Sequence, residues 1–170
     1  MRKRARRWAN VKAPRETWLE AVHDYALSIF RCGPTSIHGP LHWERVANFG
    51  LQIASSCRAD LTVVSLFALL HDSCRTSDGA DPEHGPRAAD MLDRIVPSVF
   101  ALDRQRLDLL MHAIRDHTSG RTSPDPTIGT CWDADRLDIG RAGITPSADY
   151  MSTAAGKKMT APGAPPLRIP

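Results

Sequence analysis

Four side chains of the kind that hold divalent metal ions recur through this 170-residue sequence. His42 opens the segment HWERVA, His71 and Asp72 end an apolar run in LLHD, and Asp135 lies in DADRLD. Two imidazoles and two carboxylates meeting at one point would take up a cation. Neutral imidazole nitrogen with carboxylate oxygen suits Mn, Fe, Co, Ni or Zn, and an oxygen-rich site also accepts Mg. His-Asp straight after LFALL places a carboxylate in apolar surroundings, which is costly unless a positive charge neutralises it. A cation does so directly. The alternative for the pair is a capping role on a core helix.

These residues must be positioned by helices, because apolar periodicity is helical almost throughout and no stretch alternates convincingly with period two. Trp18, Val22, Tyr25, Ala26 and Ile29 form one stripe, predicting a helix from about Glu16 to Arg31 that stops at Gly33-Pro34. A second runs from about Leu41 to Ser56. Asp60 caps a third, Leu61 to about Cys74, apolar nearly all round and therefore central. Asp81-Pro82 reads as a cap and first turn for a fourth, ending near Ile95. Further helices are expected over Val99 to His117 and Thr127 to Asp138, with a short one from a Ser147 cap to Ala155. The fold class is all-α, a single bundle-like domain of six or seven helices.

Composition agrees: 42% hydrophobic and 24% charged residues are ordinary for one globular domain. Domain boundaries are expected at 16 and 156. Residues 1–15 form a basic arm with seven Lys or Arg and no acid, leaving a net −4 on the remainder. Such an arm is either a solvated extension or a contact for nucleic acid. Residues 157–170 hold four prolines and read as a loose tail. The apolar run Leu61 to Leu70 has about half the ~20 residues a membrane span needs, and the basic start continues into a polar stretch rather than a signal sequence. A cytoplasmic protein with no membrane partner is expected. Cys32, Cys57, Cys74 and Cys131 form no C-x-x-C pair, so reduced thiols are expected.

The order H-x-x-R-V-A, an apolar helix ending in HD, then A-D-R-L resembles the HD-domain superfamily of metal-dependent phosphohydrolases over about Ile37 to Ala142. The resemblance implies a helical fold whose metal is held by His42, His71, Asp72 and Asp135, the last occupying the A-D-x-L position. Asp133 is then an outer or surface residue. His84 in EHGPRAA and His117 in IRDHTSG resemble the branch with two metals, which includes hydrolases of dinucleoside polyphosphates. There Asp72 bridges two ions, with His84 and His117 on the second. A surface position for His84 and a helix-end imidazolium for His117 remain the alternatives.

The activity that the resemblance implies is hydrolysis of a phosphate ester or anhydride, of a nucleotide or dinucleotide, by metal-bound hydroxide, with Asp72 holding the nucleophile. Arg75 and Arg121 are the expected substrate contacts, since guanidinium binds phosphate oxygens two at a time. Arg45 and Arg136 fit helix-packing ion pairs equally well. His23 and His38 read as structural or exposed, though His38 is near enough to the motif to line the cleft. Two other functions use the same residues: a di-iron oxygenase with the same ligand pattern, and a metal-stabilised nucleic-acid-binding module gripping through the basic arm.

Overall fold

The computed structural model describes residues 18–161, and every described helix belongs to one bundle with no strand among those residues. The basic arm and the last nine residues of the proline-rich tail lie outside the described part. Seven α-helices follow in order: α1 Leu19–Ile29, α2 Pro40–Ala54, α3 Leu61–Leu70, α4 His84–Ile95, α5 Arg104–Asp116, α6 Pro126–Leu137 and α7 Ala154–Met159. Short 3-10 helices at Asp138–Ala142 and Ala148–Tyr150 join the last two. The all-α reading holds.

α3 is the axis of the bundle. All its residues after Leu61 are buried, and it packs against α1, α2, α5 and α6. A helix apolar on every face has no solvent side, so its neighbours must enclose it. Burying Leu66, Phe67, Leu69 and Leu70 stabilises the fold by about 1.5–3 kcal/mol each. The Asp60 carboxylate accepts from the amides of Thr62 and Val63, the cap expected from sequence.

Several helix ends differ from expectation, each for a local reason. α3 stops at Leu70, and residues 71–74 form turns in which the Ser73 hydroxyl donates to the Leu70 carbonyl. Asp72 and Cys74 are therefore in the turn rather than on the core helix. α4 begins at His84, not at Pro82. The Asp81 carboxylate that would have capped it accepts instead from the Thr76 amide, the Thr76 hydroxyl and the Arg87 guanidinium. Those partners hold Asp81 well below the usual carboxylate range even against the cost of desolvation. α5 begins at Arg104 because Asp103 accepts from the Arg106 amide.

At the far end, Ser147 caps only the 3-10 helix, and Thr153 caps α7 separately. α7 runs through Met159, across the position where the loose tail was expected to begin. Met159 packs on the small cluster of Ile53, Leu137 and Met151, which holds those last helical residues. No helix of the described residues is long and apolar enough to cross a membrane. All four cysteines are free of disulfides, and of the four only Cys131 is fully buried.

Candidate metal centre

Each expected metal ligand sits at a helix end or in a terminal turn, where the bundle brings helix ends together. His42 is in the first turn of α2, which starts with Pro40 at its first position. His71 follows the last residue of α3, and Asp72 comes next in the turn. His84 is the first residue of α4, His117 follows the end of α5, and Asp135 lies in the last turn of α6. Five helices thus contribute to one cluster.

The four ring orientations share one rule. His42 Nδ1 is 2.7 Å from Asp138 Oδ2, His71 Nδ1 is 3.0 Å from the Phe67 carbonyl, and His117 Nδ1 is 2.7 Å from the Ile114 carbonyl. His84 Nδ1 contacts the Asp81 carbonyl in the same way. Every one of these partners is an acceptor only, so each Nδ1 carries the proton and each Nε2 presents a lone pair. The His71 ring is further fixed by stacking on Phe67, with centroids 4.7 Å apart.

The four lone pairs point into the cluster in two groups. His42 Nε2 is 3.1 Å from His71 Nε2, 3.3 Å from Asp135 Oδ1 and 3.5 Å from Asp72 Oδ2. His71 Nε2 is 3.7 Å from each of those carboxylate oxygens. On the other side, His84 Nε2 is 2.8 Å from His117 Nε2 and 3.1 Å from Asp72 Oδ1, and His117 Nε2 is 3.6 Å from the same oxygen. Asp72 therefore turns one oxygen to each histidine pair. Ligand atoms around an ion at about 2.1 Å stand roughly 3.0–3.4 Å from one another, close to these spacings.

Such a set could hold a cation. Acceptors face acceptors across the cluster, and Asp135 Oδ1 is buried without a hydrogen-bond donor. Without metal, protons are the available substitute. Burial works against charge on His42, but Asp135 and Asp138 outweigh it and raise its pKa; at His117 burial is likewise overcome, chiefly by Asp72. For His71 burial prevails and its pKa falls. Asp72 and Asp135 stay well below the ordinary carboxylate range although desolvation opposes it, because histidines surround both: His71, His117, His38 and His84 at Asp72, His42 and His71 at Asp135. The described residues thus contain buried His/Asp groups able to hold a metal ion, among them His42, His71 and Asp135, and His71, Asp72 and His117.

The two expected substrate arginines part company. Arg75 comes to the cluster, with Nη1 3.2 Å from His84 Nε2 and 3.7 Å from Asp72 Oδ1. Its other nitrogens hold its own loop, donating to the carbonyls of Ser77 and Gly79. Arg121 is not drawn in; its guanidinium lies over the Tyr150 ring, 5.6 Å from the centroid. Arg45 and Arg136 make packing contacts. Arg45 Nε is 2.6 Å from Asp138 Oδ1, and Arg136 donates to the carbonyls of Arg121 and Tyr150.

Three residues near the cluster went unassigned or were misread in the sequence. Asp138 orients His42, and its position three residues after Asp135, one helical turn on, was the available signal. His38, read as structural or exposed but able to line the cleft, does line it: its Nδ1 is 2.7 Å from Asp72 Oδ2. Arg141, on the 3-10 helix after α6, lies 3.6 Å from Asp135 Oδ1. Asp133, expected at the surface or behind the metal, does neither. It is fully buried and accepts from the amides of Ser152 and Thr153 and from the Thr153 hydroxyl, anchoring the segment that leads into α7.

No protein-family model, curated protein or solved structure matches this chain.

Proposed function

We propose that the protein is a metal-dependent phosphohydrolase of the HD type, holding two divalent cations and cleaving a phosphate ester or anhydride. The observation that carries this reading is the Asp72 carboxylate, whose two oxygens face separate histidine pairs at the focus of four inward lone pairs. His42, His71, Asp135 and Asp72 would hold one ion, and His84, His117 and Asp72 the other. Divalent ions there supply Lewis acidity toward a phosphoryl oxygen and make a water nucleophile available at neutral pH.

The chain's own residues set the rest. Asp72 fixes the spacing between the two histidine pairs. Asp138 and the carbonyls of Phe67, Ile114 and Asp81 hold the protons on Nδ1 and turn each Nε2 lone pair inward. The Arg75 guanidinium adds fixed positive charge beside Asp72, where negative charge would gather on a transferring phosphoryl group. The nucleotide or dinucleotide part of the reading rests on the resemblance of EHGPRAA and IRDHTSG to the two-metal branch.

The test is metal analysis of the purified full chain, then a hydrolysis screen over nucleotides, dinucleotides and a chromogenic phosphomonoester with Mn, Co, Ni and Mg. Turnover that disappears in Asp72→Ala, with helical circular dichroism intact, supports the proposal. Metal-loaded protein that cleaves none of these compounds, or iron-loaded protein that consumes dioxygen instead, would refute it.

A further inference from the structure

Among the described residues, most side chains of the cluster are shut off from solvent. Side-chain exposure is 0% for His42 and His71 and 2% for Asp72, His84 and His117. It rises to 15% at Asp135, 13% at His38 and 12% at Arg141. Among the described residues around the centre, solvent therefore reaches it past these three side chains. A small ligand must arrive by the same route.

Arg141 is unusual among the arginines there. Asp138 has both oxygens engaged at hydrogen-bond distance, 2.7 Å from His42 Nδ1 and 2.6 Å from Arg45 Nε. Arg141 comes no nearer than 3.9 Å to Asp138 and 3.6 Å to Asp135, and its shortest polar contact is 3.5 Å from Nη2 to His38 Nδ1. Its Nε and Nη1 are buried and have no hydrogen-bond partner. Buried donors of a charged group are rarely left without acceptors, so this arrangement calls for an explanation. Arg75 presents the opposite case, with Nε and Nη2 already held by carbonyls of its own loop.

We infer that Arg141 is the phosphoryl-binding residue at the mouth of this centre, taking phosphate oxygens on Nη2 together with its unpartnered Nε or Nη1. A tetrahedral phosphate can turn one pair of oxygens to the guanidinium fork and leave another toward Asp135, which would hold an ion. The 3-10 helix Asp138–Ala142 makes this possible, because it starts directly after α6 and carries Arg141 back alongside Asp135. This inference rests on the two-metal phosphohydrolase reading and adds to it the group that grips the substrate. It also predicts that inorganic phosphate, the simplest compound carrying that group, binds at the same place.

The experiment uses the full chain loaded with manganese, titrated with inorganic phosphate by calorimetry, beside Arg141→Ala and Arg141→Lys. Metal content is measured in parallel. Arg141→Ala is expected to weaken phosphate binding roughly ten- to a hundred-fold with metal content unchanged. Arg141→Lys, which keeps the charge without the fork, is expected to fall between the two and decides the matter if the alanine variant does not fold. Unchanged phosphate affinity in the variants overturns the assignment while leaving the hydrolase reading intact. Loss of metal in both variants also overturns it, since Arg141 would then serve the metal site rather than the substrate. Metal-loaded wild-type protein that takes up no phosphate strikes the hydrolase reading itself, and this inference with it.

Discussion

Asp138→Asn tests whether the His42 lone pair is set by its neighbour. In the native protein Asp138 Oδ2 accepts from His42 Nδ1 at 2.7 Å and Oδ1 accepts from Arg45 Nε at 2.6 Å. Both oxygens face donors, whereas an asparagine offers one oxygen and one NH2 group. Either the NH2 meets Arg45, leaving a charged donor unpaired, or it meets His42 and forces the proton onto Nε2. The second outcome removes the lone pair that would bind metal. Loss of a carboxylate behind a metal-bound histidine typically weakens affinity about 10- to 100-fold, or about 1.4–2.7 kcal/mol. At a metal concentration about 1,000 times the wild-type Kd, the stabilisation gained on binding is about 4.1 kcal/mol, and the variant retains about 1.4–2.7 kcal/mol of it. The variant also loses a buried charge-assisted hydrogen bond without metal, so the quantity to compare is the metal-induced rise in Tm, not Tm itself. Chelator-competition titration supplies the affinity independently. An Asp138→Asn protein that binds metal as tightly as wild type, with an equal rise in Tm, would refute the reasoning.

Two further outcomes are expected from the same geometry. His42 and His117 lie above the ordinary histidine pKa, so in metal-free protein their protonation contributes stability below about pH 6.5 that is lost as pH rises through their folded values. Metal must displace those protons, so its affinity is expected to climb as pH rises above about 6.5 while metal-free Tm declines, and chelator competition giving a Kd that stays flat with pH would contradict it. Asp72 and Asp135, held low, contribute stability above the ordinary carboxylate pKa that disappears only in strong acid, so they add no slope in this window. In Gly85→Ala the new Cβ would stand 2.8 Å from the carbonyl oxygens of Ile114 and Arg115 and 3.3 Å from His117 Nδ1. α4 must then move off α5, at a cost of about 1–3 kcal/mol, separating His84 from His117. The expected reading is a fall from two bound metals to one by elemental analysis; two metals at wild-type affinity would show that the close helix approach does not matter.

Much of the helical plan was legible because its signals are local. The apolar circumference of α3 required enclosure, Asp60 capped it, and Pro97 and Gly33-Pro34 stopped their helices where expected. The misreadings arose where a local signal was claimed by a distant or unanticipated partner. Asp81 was free to cap α4 in sequence but was taken by Thr76 and Arg87. Asp133 carried the look of a metal-side carboxylate, yet amides from a segment nineteen and twenty residues later claimed it.

The candidate site divides along the same line. Residue type and order marked His42, His71, Asp72 and Asp135, because imidazoles and carboxylates at the ends of helices are costly without a shared purpose, whereas His84 and His117 were marked only by the family resemblance of their segments. The orientation of each ring is not encoded beside it. It depends on which acceptor reaches Nδ1, and for His42 that acceptor lies 96 positions away in Asp138. The same holds for the arginines: Arg121 and Arg141 look alike as loop cations, and only chain packing turned one over Tyr150 and the other toward Asp135. Sequence determined which groups were present and which helices would carry them, since both follow from composition and short-range periodicity. Tertiary structure decided where lone pairs point and which donors go unpartnered, since those depend on atoms that meet only after the bundle closes.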